Sequence, residues 1–177
     1  AQTVCARTYA TIQAQRSRHS SAHFDICNTA HCQVYRGNNS ANERTDQAVD
    51  ETWGVYAYYK GKLAETYYYS CNGGASEDVR NVWNENSDMP YLVGVMDPFE
   101  PTVADKTGKY NWTVTYTKAE LTQKLRNYGF QSCTDIVNCY ISQFTPTGNV
   151  RSVTFTDSNN KNWTVSKGDV KSLLGLD

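Results

Sequence analysis

The chain has 177 residues, a formal net charge of −1, 39% apolar residues and 20% charged ones. That length suits one domain with a proper core, and near-neutral charge without a basic run argues against nucleic acid or an anionic membrane surface as the main partner. No apolar run approaches bilayer length and no charged n-region precedes an apolar h-region, so a soluble chain without a transmembrane segment is expected.

Thirteen tyrosines and four tryptophans against two methionines suggest an aromatic, polar surface of the kind that builds strands and stacks on sugar rings; β-propensity accounts for most of the tyrosines. Six cysteines exceed what a cytosolic chain of this size usually carries. They point to an extracytoplasmic setting, with some thiols committed to metal and others to disulfides.

Residues 1–17 read as a helix, because Val4, Thr8 and Ile12 recur at i, i+4, i+8 with Cys5 and Tyr9 widening the stripe. No capping residue or turn precedes Ala1, so the chain is expected to open inside this helix.

The stretch His19–Cys32, HSSAHFDICNTAHC, follows. It holds all three histidines and two of the six cysteines. Zinc takes four soft or borderline ligands in a tetrahedron, and a short loop of thiolates and imidazoles can supply them with little loop-closure cost. Cys27, His31 and Cys32 are candidate ligands, with His19 or His23 as the fourth. Neighbouring side chains of an extended segment point apart, so a turn at His31-Cys32 would be needed to bring both to one ion. The alternative is a small Cys27–Cys32 disulfide ring with histidines merely on the surface, since the spacing matches none of the standard finger patterns. No HExxH or HxE…PCxxC arrangement sets a carboxylate base beside an open position, so a metal here is expected to be structural.

Beyond this loop, QVYRG (33–37) reads as a short strand. ERTDQAVDETWG makes a helix with Ala48, Val49 and Thr52 or Trp53 inward and Gly54 as its stop. VYAYYKGKLAETYYYS is a hairpin around Lys60-Gly61-Lys62. It runs into Ser70-Cys71-Asn72-Gly73-Gly74, where the paired glycines permit positive φ and close approach of a ligand to the backbone, although Asn-Gly-Gly is also an ordinary turn. Residues 77–101 are irregular. A weak echo closes the chain: Asn111-Trp-Thr-Val and Asn162-Trp-Thr-Val each read as a strand leading into a capped helix, through Thr117 with Glu120 and Ser166 with Asp169.

Taken in order, AQTVCARTYA, FDICNTAHCQVYRG, AVDETWG, YYYSCNGGASE, VWNENSDMPYLVGVMDPFE, NWTVTYTKAEL and WTVSKGDVKSLLGL resemble the stage II sporulation protein D family of bacterial cell-wall proteins, which includes the amidase enhancers. The resemblance implies one α+β domain over residues 1–177, with a twisted, mostly antiparallel sheet, helices on one side and an open substrate cleft. It implies an extracytoplasmic protein whose partners are peptidoglycan glycan strands and, for the enhancer branch, a cell-wall amidase. Sporulation members are lytic transglycosylases for strands stripped of stem peptides. Substrate-binding positions carried over are Arg7, Gln33, Tyr35, Tyr68, Ser70, Gly73 and Gly74. Some members hold zinc in the equivalent loop, which supports His19, Cys27, His31 and Cys32 as its ligands, with His23 as substitute for His19. The family's catalytic glutamate lies before the first helix and has no counterpart in residues 1–177; Glu51, Glu65 and Glu77, the acids near the motifs, read as solvated charges. Cys5 and Cys71 replace the family's alanine and serine at segments bordering the same cleft, so a Cys5–Cys71 disulfide is expected, with Cys133 paired to Cys139.

Overall fold

The computed structural model describes residues 1–39, 41–83, 89–107, 110–166 and 168–175. Helices combine with small antiparallel sheets, so the chain is α+β. It divides into two compact units, Ala1–Tyr69 and Ser70–Asp177.

In the first unit, α1 (Gln2–Gln15) starts at Ala1 with no side-chain cap and buries Thr8, Ile12 and Gln13. Thr8 tolerates full burial because its hydroxyl donates to the Val4 carbonyl at 2.7 Å and accepts the Ala57 N–H at 3.0 Å. The Thr66 hydroxyl donates to the Cys5 carbonyl, Tyr9 meets Tyr67 and Tyr68 edge-on, and Arg16 pairs with Glu65. These contacts seat α1 against residues 57–68. α2 (Glu43–Glu51) begins in a capping box between Asn42 and Thr45. Ala48 and Thr52 are half-buried, whereas Val49 and Trp53 are exposed, Trp53 by 81%; the expected inward stripe is therefore narrower, and no α2 residue is fully buried.

The hairpin is also shorter than expected. Only β1 (Tyr58–Tyr59) and β2 (Lys62–Leu63) pair, with Tyr58 opposite Leu63. Lys60 and Gly61 both have positive φ, +48° and +77°, the geometry of the two-residue turns that match strand twist. Residues 33–37 do not form the expected strand. The Tyr35 N–H donates to the Asn28 carbonyl at 3.1 Å, which closes a loop instead of starting a ladder.

The second unit carries the principal core. It contains α3 (Val79–Trp83), a 3-10 turn (Glu100–Val103), α4 (Ala104–Thr107), α5 (Lys118–Tyr128), β3 (Ile136–Phe144), β4 (Val150–Asp157), β5 (Asn162–Ser166) and α6 (Gly168–Leu174). β3, β4 and β5 form an antiparallel meander. Val153 and Phe155 of β4, Trp163 and Val165 of β5, Leu125 of α5, and Val170 and Leu173 of α6 share one buried cluster, placing both helices on one face of the sheet. α5 is bounded as its sequence dictates, by a Thr117–Glu120 capping box and by Gly129 at φ +126°.

The echo is realised only once. Asn162–Val165 lies in β5 with Trp163 buried, its indole N–H donating to the Asp157 carboxylate at 2.9 Å, while residues 111–114 are irregular and Trp112 is 61% exposed. β5 has the paired edge of β4 to complete, and Trp163 has a core to enter. Capping by Ser166 depends on Lys167, which lies outside the described residues.

Candidate functional site

In the first unit the turn needed beside His31 is present. The Thr29 carbonyl accepts the Cys32 N–H at 3.2 Å, the Thr29 hydroxyl accepts the His31 N–H at 3.3 Å, and an Arg18 guanidinium N–H donates to the His31 carbonyl at 3.1 Å. This turn folds His31 and Cys32 toward one point. His19 Nε2 lies 3.2 Å from Cys32 Sγ, and His31 Nδ1 lies 3.4 Å from Cys32 Sγ and 3.7 Å from Cys27 Sγ. All four ligand atoms are within 4.8 Å of one another. Zinc–sulfur bonds of about 2.3 Å and zinc–nitrogen bonds of about 2.0 Å set tetrahedral edges of roughly 3.3–3.8 Å, so this donor set fits such an ion. His19 is the fourth member of the cluster; His23 is not in it.

Burial is graded across the cluster, with Cys32 at 1% exposure and His31 exposed. The Cys27 thiol is drawn down to about 5 chiefly by the Thr29 hydroxyl 3.2 Å away and by the Thr29 N–H. A thiolate is the form that ligates metal. Two sulfur and two imidazole donors are the set that a closed, four-coordinate structural site takes.

Beside it, Ile26, Cys27, Asn28, Gln33, Val34 and Tyr35 line a cavity of about 290 Å³. Two expected binding residues, Gln33 and Tyr35, thus meet at one cavity. Gln33 donates to the Tyr68 hydroxyl at 2.7 Å, which links a third. Arg7 is different: its guanidinium donates to the Val49, Thr52 and Val55 carbonyls and ties α1 to the C-terminal end of α2, where a cation is favoured. Its donors serve the fold of the unit.

In the second unit, Ser70-Cys71-Asn72-Gly73-Gly74 is held by two acids that sequence reading overlooked. Glu100, only 8% exposed, accepts the N–H of Asn72 at 2.7 Å on one carboxylate oxygen and the N–H of Gly74 at 2.9 Å on the other. Asp97 accepts from the Asn72 side chain at 3.0 Å and from the N–H groups of Phe99 and Glu100. Burial pushes Glu100 up, but the Asn72 N–H, the Cys71 thiol and the Gly74 N–H outweigh it, and the carboxyl sits below its ordinary value. Gly73 and Gly74 take φ of +70° and +107°, and a Cβ at Gly73 would meet nothing within 4 Å, so the loop presents bare backbone. An Asp three residues before a Glu ahead of a helical turn is a capping signal that marks Asp97 in the sequence; nothing local links it to residue 72.

The six cysteines are all free thiols in this structure. The expected disulfides are not formed. Cys133 is 1% exposed in the core, its thiol donating to the Thr134 carbonyl at 3.2 Å, whereas Cys139 is exposed on β3. Cys5 and Cys71 belong to different units.

Comparison with known proteins gives these features a lineage. Residues 1–59 match the SpoIID family, described as stage II sporulation protein. The chain is 35% identical over 124 residues to the amidase enhancer of Bacillus subtilis, covering 70% of this chain and 15% of that protein. It is 32% identical over 83 residues to the stage II sporulation protein D of the same organism, covering 47% and 22%. The chain belongs to the stage II sporulation protein D and amidase-enhancer family. An uncharacterized protein of Brachyspira hyodysenteriae is a further relative, 40% identical over 95 residues, 54% of this chain and 25% of that one. No solved structure matches. The family match covers α1, the His/Cys cluster, α2 and β1, and the matched regions span between 15% and 25% of these relatives' lengths.

Proposed function

We propose that this SpoIID-family chain recognises peptidoglycan glycan strands outside the cytoplasm and, in a protein carrying the family's glutamate, supports lytic transglycosylase cleavage of strands freed of stem peptides. The observation that carries the reading is the Ser70–Gly74 loop, whose backbone is exposed at Gly73 and clamped by Glu100 and Asp97. A preorganised, polar backbone ledge suits a hydroxyl- and amide-rich ligand, and exposed Tyr35, Tyr68 and Tyr69 offer faces for sugar rings.

A lytic transglycosylase needs one carboxylic acid to protonate the glycosidic oxygen, after which the muramic C6 hydroxyl closes the anhydro ring. None of the acids first considered is set for that. Glu65 pairs with Arg16, Glu51 accepts from Gln47, and Glu77 sits at about 2 and is ionised at neutral pH. In this reading residues 1–177 supply recognition. Zinc is assigned to His19, Cys27, His31 and Cys32; when bound it braces the loop that carries Gln33 and Tyr35.

The similarity to a protein named amidase enhancer favours a second reading, a non-catalytic wall-binding module that stimulates an amidase. Incubating residues 1–177, and a version extended before the first helix, with purified strands decides between them. Anhydromuramic ends from the extended protein alone support the transglycosylase. Binding without cleavage by either, with faster release of stem peptides by an added amidase, supports the enhancer. Absence of binding overturns both.

A further inference from the structure

The second unit contains an open cavity of about 330 Å³ that none of the expected site residues lines: Glu77 and Asp78 just before α3, Arg80 and Asn81 within it, Gly94, Thr147 of the β3–β4 turn and Arg151 of β4 lie along it. Its construction is specific. Gly94 lets its irregular segment lie against the turn, where a Cβ would fall 2.5 Å from Thr147 Cγ2. Glu77 then accepts five hydrogen bonds, from Thr145, Thr147, Asn149, Asn81 and the Asp78 N–H, at 2.6–3.0 Å. Its acceptor oxygens are thus committed to the protein, though it stays ionised. Asp78 is likewise committed, to Arg80 through two contacts of 2.9 and 2.5 Å.

Arg151 is left. It is half-buried on the wall and makes no ion pair among the described residues. Asn81 gives one amide hydrogen to Glu77 at 2.9 Å and keeps a second. A planar guanidinium and a spare amide N–H on one cavity can together hold a planar anion with two acceptor oxygens, with Arg151 offsetting Glu77 and Arg80 offsetting Asp78. The volume admits a single sugar or its substituent, and not a strand.

We propose that this cavity binds a carboxylate and that, on a wall glycan, it takes the lactyl carboxylate of a muramic acid residue. The assignment rests on the glycan-recognition reading and deepens it, because the lactyl carboxylate is free only where the stem peptide has been removed; on an intact strand it is tied up as an amide. Arg151 is then the residue that distinguishes stripped strands from peptide-bearing ones. Stem peptides also end in carboxylates, so the test separates the two sources.

Affinities of residues 1–177 are measured by calorimetry for three strands: one with free lactyl carboxylates, the same strand with them converted to methylamides, and one bearing stem peptides. The free strand should bind at least about tenfold tighter than the methylamide. Arg151→Gln should remove that preference by weakening the free strand alone, and Arg151→Lys should keep part of it, with all melting points compared to exclude loss of fold. Equal affinity of the native chain for free and methylamide strands, or equal weakening of both by Arg151→Gln, overturns the proposal and leaves glycan recognition standing. Tightest binding of the peptide-bearing strand, dependent on Arg151, overturns the lactyl assignment in favour of peptide carboxylates. Binding of none of the three overturns glycan recognition itself, and the lactyl assignment with it.

Discussion

The carboxylate of Glu100 accepts the backbone N–H of Gly74 from 26 residues along the chain, at 2.9 Å. Its other oxygen takes the N–H of Asn72 at 2.7 Å, so a single side chain fixes both ends of the turn that carries Gly73. Glu100→Gln keeps only one acceptor oxygen. It should raise the hydrogen-exchange rates of the Asn72 and Gly74 amides by about tenfold or more and weaken glycan binding, while the melting point of the unit changes little. Unchanged exchange at both amides would show that the clamp does not hold the loop.

The His/Cys cluster predicts a selective metal response. Adding zinc to chelated protein should raise its stability by about 2.7 kcal/mol at a free concentration one hundred times the dissociation constant. Cobalt substitution should give thiolate charge-transfer bands that are halved by Cys27→Ser or Cys32→Ser. His23→Ala should leave the spectrum unaltered, because His23 stands outside the cluster. A spectrum that responds to His23 and ignores His19 would move the fourth ligand.

Glu77 is one of the carboxylates, with Asp78 and Asp157, that contribute to acid stability. Burial pushes its carboxyl up, but the side chains of Asn81, Thr145, Thr147 and Asn149 outweigh burial and hold it at about 2, against 4.5 for the free group. A folded value below the unfolded one contributes stability in full above the unfolded value, lost as pH falls from about 4.5 toward 2. Urea midpoints of the native chain should therefore drop through that window, and those of Glu77→Gln should drop less. Parallel curves would assign the acid response to other carboxylates.

Gly94→Ala tests the packing that builds the carboxylate cavity. The added methyl would lie 2.5 Å from Thr147 Cγ2 and 3.3 Å from the Ser76 carbonyl, so Thr147 must turn away from Glu77. A loss of about 1–3 kcal/mol is expected. A loss below about 0.5 kcal/mol would mean that Thr147 repacks freely.

Leu125 is fully buried at the centre of the sheet-and-helix core. Leu125→Ala should cost about 2–5 kcal/mol by chemical denaturation.

Elements whose signals are local could be read from the residues alone. α1 follows from the Thr8 and Ile12 spacing, the start of α5 from Thr117 and Glu120, its end from Gly129, and the narrow turn of the hairpin from Lys60-Gly61. Each rests on residues within a turn or two of one another, where backbone geometry and capping decide the outcome. The His/Cys cluster was legible for the same reason, since its ligands lie within fourteen positions; choosing His19 over His23 required the Thr29 turn to be folded. Tertiary structure alone decided what depends on a distant partner. Two Asn-Trp-Thr-Val segments differ because only the second has an edge of β4 to pair with and a core for its tryptophan. Arg7 was claimed by the carbonyls ending α2, and the glycine loop by Glu100, through hydrogen bonds spanning 26 to 48 residues. Periodicity and capping cannot register such bonds, because they form only when segments far apart in the chain have already been brought together.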